Sequence, residues 1–259
     1  MMLVAELEFK IIADTSFAAA EKGIRYYLEK LIFQGQILGR EFPTYQAKDS
    51  FFSRVVLPQS DALDKTSHSQ AGLNALELLQ QAGLSYPRLS ILGDDLMSNH
   101  TDPCPSHQAL ILFCSFSATN SVLYCAEHFA PVPLYKVGRT SGEDFESLVR
   151  WQLQYQALDE IQMQQARVLF KSAEQSVQGF YSGLNQQGYK QARALSKELN
   201  KPVYYYLYSG SSANCELDAE KKCPSCGADW KLGQSWHGLF DFCCEPCQLL
   251  SNIAFDCQP

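Results

Sequence analysis

Four cysteines near the C-terminal end of the chain have the spacing of a metal site. They form two Cys-x-x-Cys pairs, Cys223-Pro-Ser-Cys226 and Cys244-Glu-Pro-Cys247, with seventeen residues between the pairs. Zinc takes four soft ligands in a tetrahedral arrangement, and two such turns joined by a hairpin supply them. Gly227 follows the first pair, where a positive φ lets backbone N–H groups face the thiolates. A redox role would need only one pair, so the pattern predicts a zinc ribbon.

The same spacing occurs a second time, with histidine in place of two cysteines. Cys104-Pro-Ser-His107 and Cys125-Ala-Glu-His128 are again separated by seventeen residues, and both units begin with Cys-Pro-Ser. Two cysteines and two histidines are a common zinc ligand set. We therefore expect a second ribbon-like unit, so the predicted cofactor is one Zn²⁺ or two. The alternative is that His107 and His128 are surface residues of a unit that has lost its metal.

Length and composition describe an ordered globular protein. The chain has 259 residues, a hydrophobic fraction of 46% and a formal net charge of −7, which allows one large or two ordinary domains plus small modules. It has no apolar run near the roughly 20 residues of a membrane span, and its N-terminus lacks the basic segment of a signal peptide. Ten cysteines in such a chain indicate a reducing cytoplasm, where thiolates bind metal instead of forming disulfides.

The elements that precede the cysteine motifs alternate between strands and helices. Apolar residues alternate along 2–13 and recur at helical spacing between Ser16, a predicted N-cap, and Gly35. Further patterns predict strands at 37–45, 50–57 and 88–92, and a helix at 70–82. This βαββαβ order is that of a ferredoxin-like unit over 1–97.

The remainder of the chain is predicted to be helical before it reaches the terminal cysteines. Residues 143–178 have a broad apolar face and predict one long helix, and Gly183 and Gly188 predict a break after it. A helix over 189–200 and a strand over 203–208 follow. The predicted fold class is therefore α+β, with four parts: a ferredoxin-like unit (1–97), a ribbon-like Cys/His unit (98–140), a helical segment with a strand (141–208) and a zinc ribbon (213–259).

Charge is unevenly distributed between the predicted ribbon and the helix before it. From Cys215 to Pro259 there are three lysines and seven acidic residues, a net charge of −4, so this region would repel a phosphate backbone. The one basic stripe is on the 189–200 helix, where residues three and seven apart share a face. It predicts a nucleic-acid contact, the alternative being an ordinary solvated face. The stripe consists of Lys190, Arg193 and Lys197, with Lys201 just beyond.

Several stretches of the chain resemble a known bacterial family. The stretches are Lys222-Cys-Pro-Ser-Cys-Gly227, the run from Asp241 to Asn252, Lys201-Pro-Val-Tyr-Tyr-Tyr-Leu-Tyr208 and Pro131-Val-Pro-Leu-Tyr135. They are similar to an uncharacterised group of zinc-ribbon-containing proteins for which nucleic-acid binding has been suggested. The similarity spans most of the chain. It implies zinc at Cys223, Cys226, Cys244 and Cys247, and a role in binding nucleic acid.

Three classes of function are compatible with these patterns. The first is a cytoplasmic, non-enzymatic zinc-ribbon protein that contacts nucleic acid. The second is a protein-interaction adaptor with purely structural zinc, in which Trp230 and Trp236 are candidate anchors. The third is an enzyme in which the Cys₂His₂ set leaves zinc an open position and Glu127 serves as the nearest base. No catalytic triad, P-loop or dinucleotide motif supports the third class, so we predict a protein without enzymatic activity, no membrane partner and an undetermined oligomeric state.

Overall fold

The computed structural model describes residues 1–40, 42–114, 120–139, 143–164 and 168–258. Contacts divide the chain into two compact units. The first comprises Met1–Pro103, Ala118–Ser121 and Ala130–Val149, and the second comprises Cys104–Ser117, Val122–Phe129 and Arg150–Pro259. The architecture is mixed α+β, as predicted; the finer four-part division of the chain stays a prediction. Within the described part of the chain, no helix is both long and apolar enough to cross a membrane.

The strands and helices are numbered in chain order. The strands are β1 (Leu3–Lys10), β2 (Thr44–Ala47), β3 (Ser50–Leu57), β4 (Arg88–Asp94), β5 (Leu110–Leu112), β6 (Leu123–Cys125), β7 (Pro131–Val132), β8 (Val203–Leu207), β9 (Lys231–Trp236), β10 (Phe240–Cys244) and β11 (Leu249–Ser251). The helices are α1 (Phe17–Gln34), α2 (Gln70–Gln81), α3 (Glu146–Met163), α4 (Phe170–Gln178), α5 (Gly183–Leu199) and α6 (Cys215–Ala219).

The first unit has an antiparallel sheet in the order β2-β3-β1-β4. Alternation along β1 sends Ala5, Leu7 and Phe9 into a core that they share with α1 and α2, and each large apolar side chain buried there stabilises the fold by about 1.5–3 kcal/mol. The Ser16 side chain caps α1 by accepting from the N–H of Ala19, and Gly35 ends the helix with a φ of 68°. Both predicted limits of this helix are confirmed.

The second strand of the first unit begins later than predicted. The sequence pattern placed it at 37–45, whereas β2 spans Thr44–Ala47. Ile37 and Leu38 are buried beside the end of α1, and Leu38 makes only an isolated antiparallel bridge to Val56, so their apolar character reflects core packing. Pro43, which lacks an N–H for a strand ladder, lies directly before β2.

The second unit is built around β8. Its strands run in the order β6-β5-β8-β11-β10-β9, in which β5 and β11 flank β8 and are both parallel to it. The pairs β5–β6, β9–β10 and β10–β11 are antiparallel. Two hairpins, β5–β6 and β9–β10, therefore lie on opposite sides of β8 in one sheet.

The helices of the second unit differ from the prediction at two places. The single helix predicted over 143–178 is wrong, because α3 ends at Met163 and α4 begins at Phe170 after Leu169, which has a φ of 65°. The predicted break at Gly188 is also wrong. A Cβ atom at Gly188 would lie 2.6 Å from both Trp151 and Tyr205, so this glycine lets α5 pack closely on β8 and does not end a helix.

One pair of cysteines departs from the expectation that all thiols are free. Cys215, the first residue of α6, forms a disulfide with Cys257 in the C-terminal 3₁₀ turn. The expectation was wrong for this pair because it rested on composition, and the two residues are 42 positions apart with no motif between them. The other eight cysteines do not form disulfides in the described part of the chain.

Candidate metal centre

The β9–β10 hairpin brings the four C-terminal cysteines together. The first Cys-x-x-Cys turn precedes β9, and the second begins at Cys244, the last residue of β10. The four sulfur atoms all lie within 4.8 Å of one another, and the sulfurs of Cys226 and Cys244 are 3.7 Å apart. A tetrahedral zinc ion with Zn–S bonds of about 2.3 Å separates its sulfur ligands by about 3.8 Å. The geometry of Cys223, Cys226, Cys244 and Cys247 therefore fits a metal ion.

The backbone of both turns is folded around the sulfur atoms. Gly227 has a φ of 76°, as its predicted role requires, and its N–H donates to the Cys223 carbonyl over 2.8 Å. Gln248, directly after the second turn, also has a positive φ of 53°. These turns direct backbone N–H groups at the thiols, and such groups stabilise thiolates and the metal bonds they form.

The environment changes the acidity of the cysteines in opposite directions. A hydrogen bond from the backbone N–H of Ala228 is the largest influence on Cys226 and lowers the pKa of its thiol to about 7. Burial is the largest influence on Cys223 and Cys244, and it raises the pKa of both thiols. A cation bound among the four sulfurs would favour the thiolate form of all of them.

Tyrosines from the helical layer hold both turns of the cluster. The Tyr189 hydroxyl on α5 donates to the Cys247 carbonyl over 2.8 Å, and the Tyr181 hydroxyl donates to the Pro224 carbonyl over 2.8 Å. The roles of both tyrosines cannot be predicted from the sequence, because no motif marks a tyrosine that donates to a backbone carbonyl tens of residues away. The only local indication in the sequence is that Tyr189 is directly before Lys190, the first residue of the basic stripe.

Two further residues near the cluster, Trp230 and Cys243, contribute to packing. Trp230 is only 4% exposed and donates its indole N–H to the Lys221 carbonyl, so it packs the ribbon itself. Cys243, the neighbour of Cys244, points to the opposite face of β10 and packs beside the aromatic core around Phe240. Burial raises the pKa of the Cys243 thiol to about 11.

The predicted Cys/His set lies at the β5–β6 hairpin. The Nδ1 atom of His128 is 3.6 Å from the sulfur of Cys104 and 3.7 Å from the sulfur of Cys125. The ligand atoms of His107 and Cys125 are within 4.8 Å of each other. The four residues are thus close in pairs, whereas the C-terminal cysteines form a single set in which every pair is close.

The four residues of the predicted basic stripe have different environments. Lys190 and Lys197 are exposed on α5, and Arg193 is partly exposed. Among the described residues, none of these three has an ion-pair partner. Lys201 instead donates from Nζ to the carbonyl of His107 over 2.9 Å, so it supports the first Cys/His turn.

A mixed α+β protein whose C-terminal hairpin carries a four-cysteine cluster is the class that this fold and site define. The chain matches three family models, each described as a domain of unknown function: DUF8589 over residues 2–93, DUF2310 over 104–208 and DUF8594 over 210–257. A protein of Haemophilus influenzae described as uncharacterized is 29% identical over 260 residues, covering 98% of this chain and 99% of that protein. A second such protein of the same organism is 32% identical over 176 residues, covering 68% of this chain and 86% of that protein.

The chain belongs to the family of these uncharacterized bacterial proteins. Among solved structures, the crystal structure of SnoaB, a cofactor-independent oxygenase from Streptomyces nogalater, is similar to 36% of this chain and 93% of its own chain. That similarity has a TM-score of 0.29 and 15% sequence identity, and it carries no argument about fold or function.

Proposed function

We propose that Cys223, Cys226, Cys244 and Cys247 hold one structural Zn²⁺ and that residues 213–259 form a zinc ribbon. The observation that carries this proposal is the set of four sulfur atoms within 4.8 Å of one another. Tetrahedral sulfur ligation is typical of zinc and of iron. Zinc is favoured because it has no redox chemistry and is the usual metal of structural four-cysteine sites with two Cys-x-x-Cys turns.

Four protein ligands leave a bound zinc ion without an open position for water. We therefore infer a protein without enzymatic activity at this site. We also propose a reducing cytoplasm as the compartment, because cysteines that are not in disulfides stay available to metal there. For the first unit we propose a ferredoxin-like fold, because its element order is βαββαβ and its sheet order is β2-β3-β1-β4.

The proposed nucleic-acid contact is the exposed face of α5. Lys190, Arg193 and Lys197 lie along one side of this helix, and Tyr189 on the same helix bonds to the Cys247 carbonyl of the ribbon. Through this bond the ribbon would hold α5 in place. The ribbon itself carries a net negative charge, so it would not contact the phosphate backbone. Lys201 is left out of this face because it is bonded to the His107 carbonyl.

Fluorescence anisotropy with labelled single-stranded RNA and duplex DNA tests the contact over a salt series. A triple variant Lys190→Glu, Arg193→Glu, Lys197→Glu is compared with Lys22→Glu, Lys48→Glu, Lys171→Glu, which changes the net charge equally at exposed lysines elsewhere. We expect only the first variant to lose affinity, and the salt slope of the parent to be steeper by about 0.7–0.9 per lost contact. Equal affinity of both variants, or no binding by the parent at low salt, would overturn the proposal.

A protein-interaction adaptor is the second candidate function. The observation in its favour is that β9 is the last strand of its sheet order and, among the described residues, pairs with β10 alone. This leaves an edge that an extended peptide can join. Trp230 is buried within the ribbon, so Trp236 is the remaining candidate anchor. Loss of a purified partner from the variants Gln234→Pro and Trp236→Ala, with metal content unchanged, would favour this candidate over nucleic acid.

A further inference from the structure

The β5–β6 hairpin repeats the layout of the terminal ribbon in detail. In both regions a turn with two ligand-type residues precedes a strand, a hairpin follows, and the second turn begins at the last residue of the second strand. That last residue is Cys125 in β6 and Cys244 in β10. The repeat therefore extends from the spacing of four residues to the strands that position them.

The second turn of each hairpin is followed by a residue with a positive φ. Phe129, directly after His128, has a φ of 51°, and Gln248, directly after Cys247, has a φ of 53°. The N–H of Phe129 donates to the Cys125 carbonyl over 2.9 Å, which is the bond that Gly227 makes to the Cys223 carbonyl in the first turn of the terminal ribbon over 2.8 Å. Gln248 donates instead to the Glu245 carbonyl over 3.1 Å. A positive φ is unfavourable for a phenylalanine. Its presence here indicates that the local fold requires this turn.

The distances around His128 match those of two ligands on one metal ion. Zn–S bonds of about 2.3 Å and Zn–N bonds of about 2.0 Å place a sulfur and a nitrogen about 3.5 Å apart in a tetrahedral site. The observed distances from His128 Nδ1 to the sulfurs of Cys104 and Cys125 are 3.6 and 3.7 Å. Each of the two sulfur–nitrogen distances therefore fits a pair of ligands on one metal ion.

We propose that Cys104, His107, Cys125 and His128 form a second binding site, for a divalent cation of zinc-like softness. Cys125 is buried beneath the hairpin, while the His128 side chain is 43% exposed. Lys201 holds the first turn through the His107 carbonyl. The site clamps the open end of the β5–β6 hairpin. Because its ligands are close only in pairs, it binds metal more weakly than the four cysteines do.

The metal content of the full-length protein, measured by plasma mass spectrometry after dialysis, tests this proposal. The parent is compared with Cys104→Ser, His128→Ala and Cys223→Ser, and with the control His100→Ala, which removes an exposed histidine outside the set. We expect two zinc ions per chain in the parent and the control, and one in each of the other variants. One zinc in the parent that is kept by Cys104→Ser and His128→Ala would overturn the second site and leave the ribbon intact.

Cobalt separates the two sites even if one substitution disturbs folding. Sulfur-to-cobalt charge-transfer absorbance grows with the number of thiolates bound to Co²⁺. In a Cys223→Ser, Cys226→Ser variant we expect a tetrahedral Co²⁺ spectrum with about half the charge-transfer intensity per ion of a His128→Ala variant, because two thiolates replace four. A Cys223→Ser, Cys226→Ser variant that keeps its circular dichroism but shows no tetrahedral Co²⁺ bands would contradict the proposal.

Discussion

The two cysteine-bearing hairpins of the second unit share their spacing but differ in how tightly their ligands converge. In the terminal hairpin four sulfur atoms lie within 4.8 Å of one another. In the β5–β6 hairpin the ligand atoms are close in pairs, and one of them, on His128, belongs to an exposed side chain. Equal spacing therefore gives the same hairpin layout in both regions, whereas ligand type and burial determine how tightly each hairpin binds a metal ion.

The largest expected effect is the loss of the C-terminal metal. Cys223→Ser removes a buried ligand, and structural zinc supplies much of the stability of a small ribbon. We expect this variant to lose one zinc ion and to unfold at a midpoint lower by about 10 °C, which corresponds to at least about 3 kcal/mol for a unit of this size. Calorimetry of the parent and the variant, each with a measured zinc content, checks this. An unchanged midpoint after zinc loss would show that the hairpin folds without metal.

A smaller effect is expected at the β5–β6 hairpin. His128→Ala removes an exposed ligand from the looser set, so we expect a loss of about 1–2 kcal/mol in the free energy of unfolding, within the usual range for single substitutions. Urea unfolding measures this change, with His100→Ala as the matched control. If His128→Ala destabilised the protein more than Cys223→Ser does, the order of the two sites would be reversed.

Two side chains, one at each hairpin, hydrogen-bond to a ligand-bearing turn, so each site can be perturbed separately and the other used for comparison. Tyr189→Phe removes only the hydroxyl that bonds to the Cys247 carbonyl, and Lys201→Met removes the amine that bonds to the His107 carbonyl. Each loss costs about 1 kcal/mol. Timed release of zinc to a chromogenic chelator should show the slow phase accelerated by Tyr189→Phe and the fast phase by Lys201→Met. Tyr86→Phe, at an exposed tyrosine, serves as the control. Acceleration of both phases by both variants would mean that the sites are not separate.

The smallest effect is expected for the cysteine next to a ligand. Cys243 faces away from the four-cysteine cluster, so Cys243→Ala should keep the full zinc content and change stability by no more than about 1 kcal/mol. Zinc titration of this variant beside Cys244→Ala tests the assignment. A loss of zinc from Cys243→Ala would identify it as the ligand in place of its neighbour.

Local signals predicted the parts of the molecule that depend on neighbouring residues. The limits of α1 were predictable because Ser16 and Gly35 act on the helix termini beside them. The residues that meet in the four-cysteine cluster were predictable because two turns joined by one hairpin involve residues that are close together in the sequence. The alternation of a strand is equally local: Phe51 is buried in the core, and Phe52, on the opposite face of β3, stacks on Tyr45.

The features that escaped prediction depend on contacts distant in sequence. In the sequence alone Gly188 indicates a helix break. Its role becomes clear only from its close contact with Trp151 and Tyr205. The hydrogen bonds from Tyr189 and Lys201 to ligand-bearing turns join residues 58 and 94 positions apart. The Cys215–Cys257 disulfide likewise depends on the C-terminal turn returning to α6. No pattern within one element carries this information, because each contact is set by the packing of the whole unit.

Zinc X-ray absorption of the zinc-saturated full-length protein tests the central claim, that both hairpins hold metal, most directly. Four sulfurs at one site and two sulfurs with two nitrogens at the other average to three sulfurs and one nitrogen per zinc. We predict this average shell, with Zn–S bonds of about 2.3 Å and Zn–N bonds of about 2.0 Å. A shell of four sulfurs with no nitrogen, at one zinc per chain, would contradict it.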